Sequence, residues 1–419
     1  MYFMATIIVG VAAAAASETM EKGWADRAEE LRQTVREILT FPEERVPIDG
    51  QTHRIIEGDG YRIECVTYQS EPGSRVTAHL YLPEPLEGPV PAIVVACGHG
   101  GSKSSIYIQY TCQLFAKLGF ACLVPDTIGE EERHKEGKMG TRAHDMPEFG
   151  RDSDARRAFT REELGRMVLG KIVWDLVRGL DYLETRDEVD AARLGIIGNS
   201  MGGTTTSLAV TADTRPRAAV ISGWSMSAQG AIEGKDCSRM PYEAIAHSMS
   251  FNEFNALVAP HAATLHINGD RDSIIDVAED GRAVVRRTRA AVAGARQILA
   301  DAGIEGVIET HFVREACHQP FIITRPVAEW LQLHLQTAEE QRPIPDEIVK
   351  LGDWVDAHGL RLERLYDTEL RQRGTRAIDV GAVYRTPAEL ACFPGQTHPA
   401  HEYTWEGWRN RLTGGETGG

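Results

Sequence analysis

The sequence predicts an α/β fold: a doubly wound, mostly parallel sheet fronted by an antiparallel hairpin, with a small cap-like insertion and a C-terminal appendage. Three features of the 419 residues carry this expectation. Apolar strand-like runs alternate with amphipathic helix-like runs from about residue 91 to 335, the order that builds a parallel sheet through right-handed crossovers. Residues 91–97 are apolar without a break, as a strand buried on both faces requires. Residues 194–210 pass from an apolar strand through Gly198-Asn199-Ser200-Met201-Gly202 straight into a helix-like segment.

In chain order, Trp24, Leu31, Val35 and Ile38 recur among charges at helical spacing, giving an amphipathic leading helix over 21–39. Residues 62–68 and 76–82 alternate around the turn Glu71-Pro72-Gly73-Ser74, giving the hairpin. After the strand at 91–97 come a helix at 106–118, a strand at 121–124, a helix within 162–185 and a strand at 194–198. A helix at 204–211 and a strand at 217–222 follow, then a strand at 263–268, a helix within 280–302, a strand at 306–313 and a helix at 320–335. Two stretches interrupt the alternation. The polar one, 126–160, reads as a solvated loop; the other, 223–260, carries Trp224, Met226, Met249, Phe251 and Phe254 and reads as a cap or pocket wall. The expected organisation is a signal-like or disordered segment over 1–19, one catalytic-type domain over 20–340, and an appendage over 341–419 with a frayed end.

The composition, 42% hydrophobic and 25% charged, is that of a globular chain, and a net charge of −16 disfavours nucleic acid and anionic membrane as partners. Seven cysteines show no C-x-x-C pair, and Cys65, Cys97 and Cys122 sit in apolar runs where a reduced thiol behaves as a small hydrophobe. That leans towards the cytoplasm. Residues 1–16, apolar and uncharged before Ser17, also suit a signal peptide, and a start at Met20 fits as well. The segment is too short for a stable membrane span.

The glycines around Ser200 mark a sharp strand-to-helix turn that lifts a serine above the sheet, next to the N–H groups of a helix start. A serine hydroxyl needs a base, and the base a carboxylate to orient it. His318, on a short loop before the last helix, is the expected base. After the strand at 263–268, both Asp270 and Asp272 are candidate acids; Asp272, beyond the turn, is preferred because Asp270 sits where a side chain caps its own backbone. The oxyanion of the intermediate needs two N–H donors. Met201 is expected to supply one, and Gly101, in the loop Gly98-His99-Gly100-Gly101 after the buried strand, the other. His99, Gly100, Asn199, Trp224 and Met226 are expected to line the substrate pocket. No metal or cofactor is expected, and Cys97 and Cys317 lack the basic or helix-start setting of a reactive thiolate.

These residues resemble the α/β-hydrolase superfamily, in its acetylxylan-esterase-like and dienelactone-hydrolase-like branch. The resemblance covers residues 20–340. It rests on Trp24, the Gly73 turn before 76–83, the Gly98–Gly101 loop, Trp174 to Tyr182, Val189-Asp190 and the Ser200 turn; Ala259-Pro260 also fits, although the family usually continues with arginine and proline where this chain has His261-Ala262. The resemblance implies hydrolysis of short-acyl, acetyl-type or carbohydrate esters by Ser200, His318 and Asp272 without a cofactor. Ser200 departs from the cysteine of dienelactone hydrolases proper and the aspartate of dehalogenases. An amide or peptide hydrolase of the prolyl-oligopeptidase type and a non-catalytic binding protein are the alternatives. Acyl group, alcohol and oligomeric state lie beyond the sequence.

Overall fold

The computed structural model describes residues 23–141, 161–225, 242–272, 283–316, 318–347, 349–350, 376–395 and 400–412. Its elements in chain order are helix α1 (residues 23–38), strands β1 (Gln51–Glu57), β2 (Tyr61–Glu71), β3 (Ser74–Pro83) and β4 (Val90–Ala96), helix α2 (Ile106–Lys117), strand β5 (Ala121–Pro125), helix α3 (Arg161–Glu184), strand β6 (Val189–Asn199), helix α4 (Met201–Ala212) and strand β7 (Ala218–Ser222). Helices α5 (Tyr242–Ser248) and α6 (Phe251–Val258) lead to β8 (Ala263–Gly269), followed by α7 (Ala283–Asp301), β9 (Ile308–Val313) and α8 (Arg325–Leu335).

Among the described residues the main sheet has nine strands in the order β1-β2-β3-β5-β4-β6-β7-β8-β9. The first three pair antiparallel, β3 pairs antiparallel with β5, and β5-β4-β6-β7-β8-β9 are parallel. The expected hairpin is β2–β3; β1, a polar edge strand with alternating exposure, escaped the sequence pattern. From β4 the chain steps to one side for β5 and then to the other for β6. This is the switch point where a crevice opens at the strand ends.

The β4 strand explains its own apolar sequence. Ala92, Val94 and Ala96 pack into the layer with α1, α3 and α4, while Ile93, Val95 and the adjoining Cys97 pack into the layer with α2 and α8. A period of two with both phases buried leaves no place for a polar residue.

Two expectations are corrected here. The stretch 126–160 is not solvated in its first part: Asp126, Ile128, Glu130, Glu131 and Arg133 are all buried, because the charges find partners inside the molecule, whereas residues 135–140 are exposed as expected. The second half of 223–260 is core rather than pocket wall. Ile245 on α5, Met249 in the link after it and Phe254 on α6 join the main apolar cluster, and α6 starts with a capping box in which Ser250 and Glu253 satisfy each other's backbone N–H groups. These helices are the crossover from β7 to β8; residues 142–160 and 226–241 lie outside the described residues. The described parts of 341–419 pack on the body: Ile378, Ala382 and Leu390 join the cluster of α2 and α8, and Trp405 and Trp408 stack against Ile128, Val168 and Ile172. Among the described residues, no helix is long and apolar enough to cross a membrane, and Cys65, Cys97, Cys112, Cys122 and Cys392 are buried free thiols.

Candidate active site

The turn between β6 and α4 is set by steric necessity. A Cβ on Gly198 would lie 2.3 Å from Gly202 O, one on Gly202 2.3 Å from Ala96 O, and one on Gly203 2.4 Å from Ser222 O. Only glycine permits these backbones to touch. Between them Ser200 takes φ 62° and ψ −123°, a strained conformation for a side-chain-bearing residue. Its N–H donates to Ser222 O at 2.9 Å, and α4 begins at the next residue, three positions earlier than the sequence pattern suggests. The first intrahelical bond runs from Thr204 N–H to Ser200 O, so the first-turn N–H of Met201 is left to an external acceptor by helix geometry.

His318 and Asp272 meet as expected. Nδ1 of His318 lies 2.8 Å from Asp272 Oδ2, with the carboxylate side chain fully buried and the imidazole 15% exposed. The carboxylate thus holds one ring nitrogen and leaves Nε2 for other work. Asp270, by contrast, gives its N–H to Val313 O, and its Oδ1 is buried without a partner among the described residues. Gly223, at φ 59° after β7, lies between the ring and the backbone of the serine. A Cβ there would sit 3.0 Å from His318 Cε1, 2.9 Å from Asn199 Oδ1 and 3.2 Å from Ser200 N. Sequence reasoning passes over Gly223, although a glycine directly after a buried strand and before a tryptophan is the available sign.

The glycine loop after β4 lies against the nucleophile: a Cβ on Gly98 would be 3.7 Å from Ser200 Cβ. The donor within it differs from expectation. Gly101 N–H donates to Gly98 O at 2.9 Å, closing a tight turn, and so points into the loop rather than towards an oxyanion. Gly98 N–H donates to the Tyr107 hydroxyl at 2.6 Å, Ser102 N–H to Ser105 Oγ and Lys103 N–H to Asp126 Oδ1, both at 2.9 Å. The loop tip, half-buried His99 and Gly100 with φ 69°, is the part turned outward.

The pocket expectations divide. Asn199 is fully buried with its Oδ1 accepting from Ser222 Oγ at 2.6 Å, so it props the strand ends and does not line a pocket. Trp224 packs in the main core beside Gly203, its backbone N–H donating to Asn268 Oδ1 at 2.9 Å. Met226 and Cys317 lie outside the described residues. Burial pushes the Cys97 thiol well above its ordinary range, the opposite of what a nucleophile needs.

A second group of polar residues, without a signature in the sequence, stands behind the loop. The carboxylates of Asp126, Glu131 and Glu132 converge on one point. That point holds the Lys103 ammonium, bonded to Asp126 and lying 2.9 Å from both Glu131 Oε1 and Glu132 Oε2. The three carboxylates therefore already have their cation.

The comparisons with known proteins agree with this architecture. Residues 76–237, which span the glycine loop and the Ser200 turn, match the Dienelactone hydrolase family. A solved structure, Methylesterase BT1017, superposes over 91% of this chain and 74% of its own with a TM-score of 0.60 at 19% identity. The chain has the α/β-hydrolase fold. The chain is also 27% identical over 241 residues, 56% of its length, to "Putative hydrolase YtaP" of Bacillus subtilis (strain 168), where the match covers 78% of that protein. A glucuronoyl esterase from Solibacter usitatus shares the fold with a TM-score of 0.51 at 15% identity, over 72% of this chain and 91% of that one.

Proposed function

We propose that this hydrolase cleaves carboxylic esters by acyl transfer through Ser200, His318 and Asp272. The observation that carries the proposal is the shared corner at Gly223, which lies between the edge of the Asp272-bonded imidazole and the strained Ser200. Ser200 Oγ attacks the carbonyl carbon as Nε2 of His318 takes its proton, and Asp272 stabilises the imidazolium. Met201 N–H and a donor at the Gly100 tip stabilise the oxyanion, in place of Gly101. His318 returns the proton to the leaving alcohol; water then attacks the acyl-serine with the same base. Buried Cys97 and the carboxylate-bound Lys103 leave Ser200 as the nucleophile the corner offers.

The substrate class is a short ester, of a small molecule or a carbohydrate. Two readings of the sugar's place are open to test. In one the sugar is the alcohol, as in acetylated xylan. In the other it is the acid, a reading favoured by the names of the methylesterase and glucuronoyl esterase that share the fold. A neutral ester suits a chain of net charge −16 in both cases, and the same field helps expel the carboxylate product.

The test is hydrolysis of 4-nitrophenyl acetate, acetylated xylo-oligosaccharides, a methyl glucuronate ester and a proline 4-nitroanilide by wild type and Ser200→Ala. Serine-dependent ester cleavage supports the proposal. Cleavage of the anilide alone moves the enzyme to the peptidases, and ester turnover surviving in Ser200→Ala removes Ser200 from the mechanism.

A further inference from the structure

The glycine loop beside Ser200 ends in a fully buried lysine. Lys103 is closed off from solvent together with Asp126, and Glu131 and Glu132 are nearly so. A buried ammonium among three carboxylates is a poor way to gain stability, since desolvating each ion costs several kcal/mol. Its geometry, however, ties the loop down from two directions. The backbone N–H of Lys103 donates to Asp126 Oδ1, and the neighbouring Ser104 hydroxyl donates to Glu131 Oε1 at 2.8 Å.

The same carboxylates reach the far end of the chain. Glu132 Oε2 accepts the N–H of Cys392 at 3.0 Å and its Oε1 the N–H of Phe393 at 2.9 Å, while it also faces Lys103. Arg133 continues the link, donating to Asp126 O at 2.9 Å, to Asp175 Oδ2 at 2.7 Å and to Tyr403 O at 3.3 Å. Asp126 in turn accepts from the Thr77 hydroxyl at 2.7 Å, which fixes it to β3. A continuous chain of charge-assisted bonds thus runs from the C-terminal segment through Glu132 and Lys103 into the loop that flanks the nucleophile.

We propose that Glu132 and Lys103 are positioning residues for the oxyanion-binding loop, and that the C-terminal segment around Cys392 and Phe393 is the anchor that holds them. The proposal rests on the acyl-transfer reading of Ser200. Glu132 suits this role because the Lys103 charge and the two backbone donors overcome its burial and hold its carboxyl down at about 2, so it stays an anion with fixed acceptors. A loop donor displaced by a fraction of an ångström loses contact with the transition state before it loses contact with bound ester. The effect therefore falls on kcat and spares KM.

The experiment compares wild type, Glu132→Gln and Glu132→Ala on one short ester, with active sites counted by end-point labelling of Ser200 with a phosphonate. The brace predicts kcat per labelled site falling about 10-fold in Glu132→Gln and about 100-fold in Glu132→Ala, with KM changed less than about two-fold. Lowered melting temperature with kcat per labelled site within two-fold of wild type overturns it, and Glu132→Gln, which keeps the shape of the side chain, decides the matter where Glu132→Ala does not fold. Failure of the phosphonate to label wild-type Ser200 overturns the acyl-transfer reading and the brace with it; labelling of wild type with unaffected variants overturns the brace alone.

Discussion

The two walls of the candidate active site are built by opposite means. The nucleophile wall, from β6 through Ser200 to α4, is local: its shape follows from glycines within six residues of each other and from the adjacent strands β4 and β7. The loop wall, residues 98–103, is held from a distance, by carboxylates some 25 residues downstream and through them by backbone groups near residue 392. A local wall is specified by residue types alone, whereas a wall braced from afar depends on every link in its chain of bonds.

The comparison predicts where substitutions act. The largest effects belong to the nucleophile wall and its base. Asp272→Asn keeps the shape of the acid but presents the wrong partner to the imidazole Nδ1–H, and kcat is expected to fall by about 10³- to 10⁴-fold, as steady-state hydrolysis of a short ester will measure. Gly202→Ala drives a methyl group to 2.3 Å from the Ala96 carbonyl, a backbone atom that cannot step aside. It is expected to cost at least about 1–3 kcal/mol in chemical denaturation and to abolish the turn; a folded, active Gly202→Ala enzyme would break the claim that this wall is sterically set. Gly223→Ala is a finer probe. The new Cβ must sit 3.0 Å from His318 Cε1 at a positive φ, so kcat is expected to drop about 10- to 100-fold through displacement of the ring, and a crystal structure of the variant would show the shift.

The nucleophile wall is readable in the sequence because its physics is short-ranged. A serine between glycines after an apolar run, and a histidine and aspartate at later strand ends, have residue types and order as their signature. The loop wall is only half readable. Its glycines are visible, but the choice of Gly101 as donor overlooks that the four residues Gly98 to Gly101 close a turn on themselves, which commits that N–H to Gly98 O. Asp126, Glu131 and Glu132 read as solvated charges, and Lys103 draws no notice, because no local pattern tells a buried ion from an exposed one; Glu132 is covered by backbone groups some 260 residues further on. Asn199 and Trp224 mislead for a related reason: a neighbour of Ser200 in sequence and an aromatic residue at the start of an apolar insertion both suggest contact with substrate, whereas the hydrogen bond to Ser222 and the packing beside Gly203 turn them inward.

The smallest effect on turnover is expected from a pH dependence of stability that leaves the two walls alone. Burial holds His266, within β8, and His261, just before it, at about 4. Both are neutral in the fold and would be protonated in the unfolded chain below about pH 6.5. The unfolded state therefore binds more protons, so stability is intact above about pH 6.5, declines as pH falls and levels off below about pH 4. Asp126, raised to about 6 by burial, opposes this over part of the interval because the folded chain takes up its proton first. Neither ring nitrogen of His266 has a hydrogen-bond partner among the described residues. His266→Leu is accordingly expected to flatten the acid side of the stability curve, by up to on the order of 3 kcal/mol at pH 4, with ester turnover at pH 8 unchanged. Denaturant titrations at pH 4, 5.5 and 8 would check it.

The central claim is that Ser200 carries the acyl group during turnover. Rapid acid quench of the enzyme mixed with 4-nitrophenyl acetate, followed by peptide mass spectrometry, tests it directly. An acetyl group on the peptide containing Ser200 in wild type, accumulating during the burst and missing in Ser200→Ala, is the predicted result; full turnover with acetyl on another residue, or an acetylated Ser200 that does not decay as product forms, would contradict it.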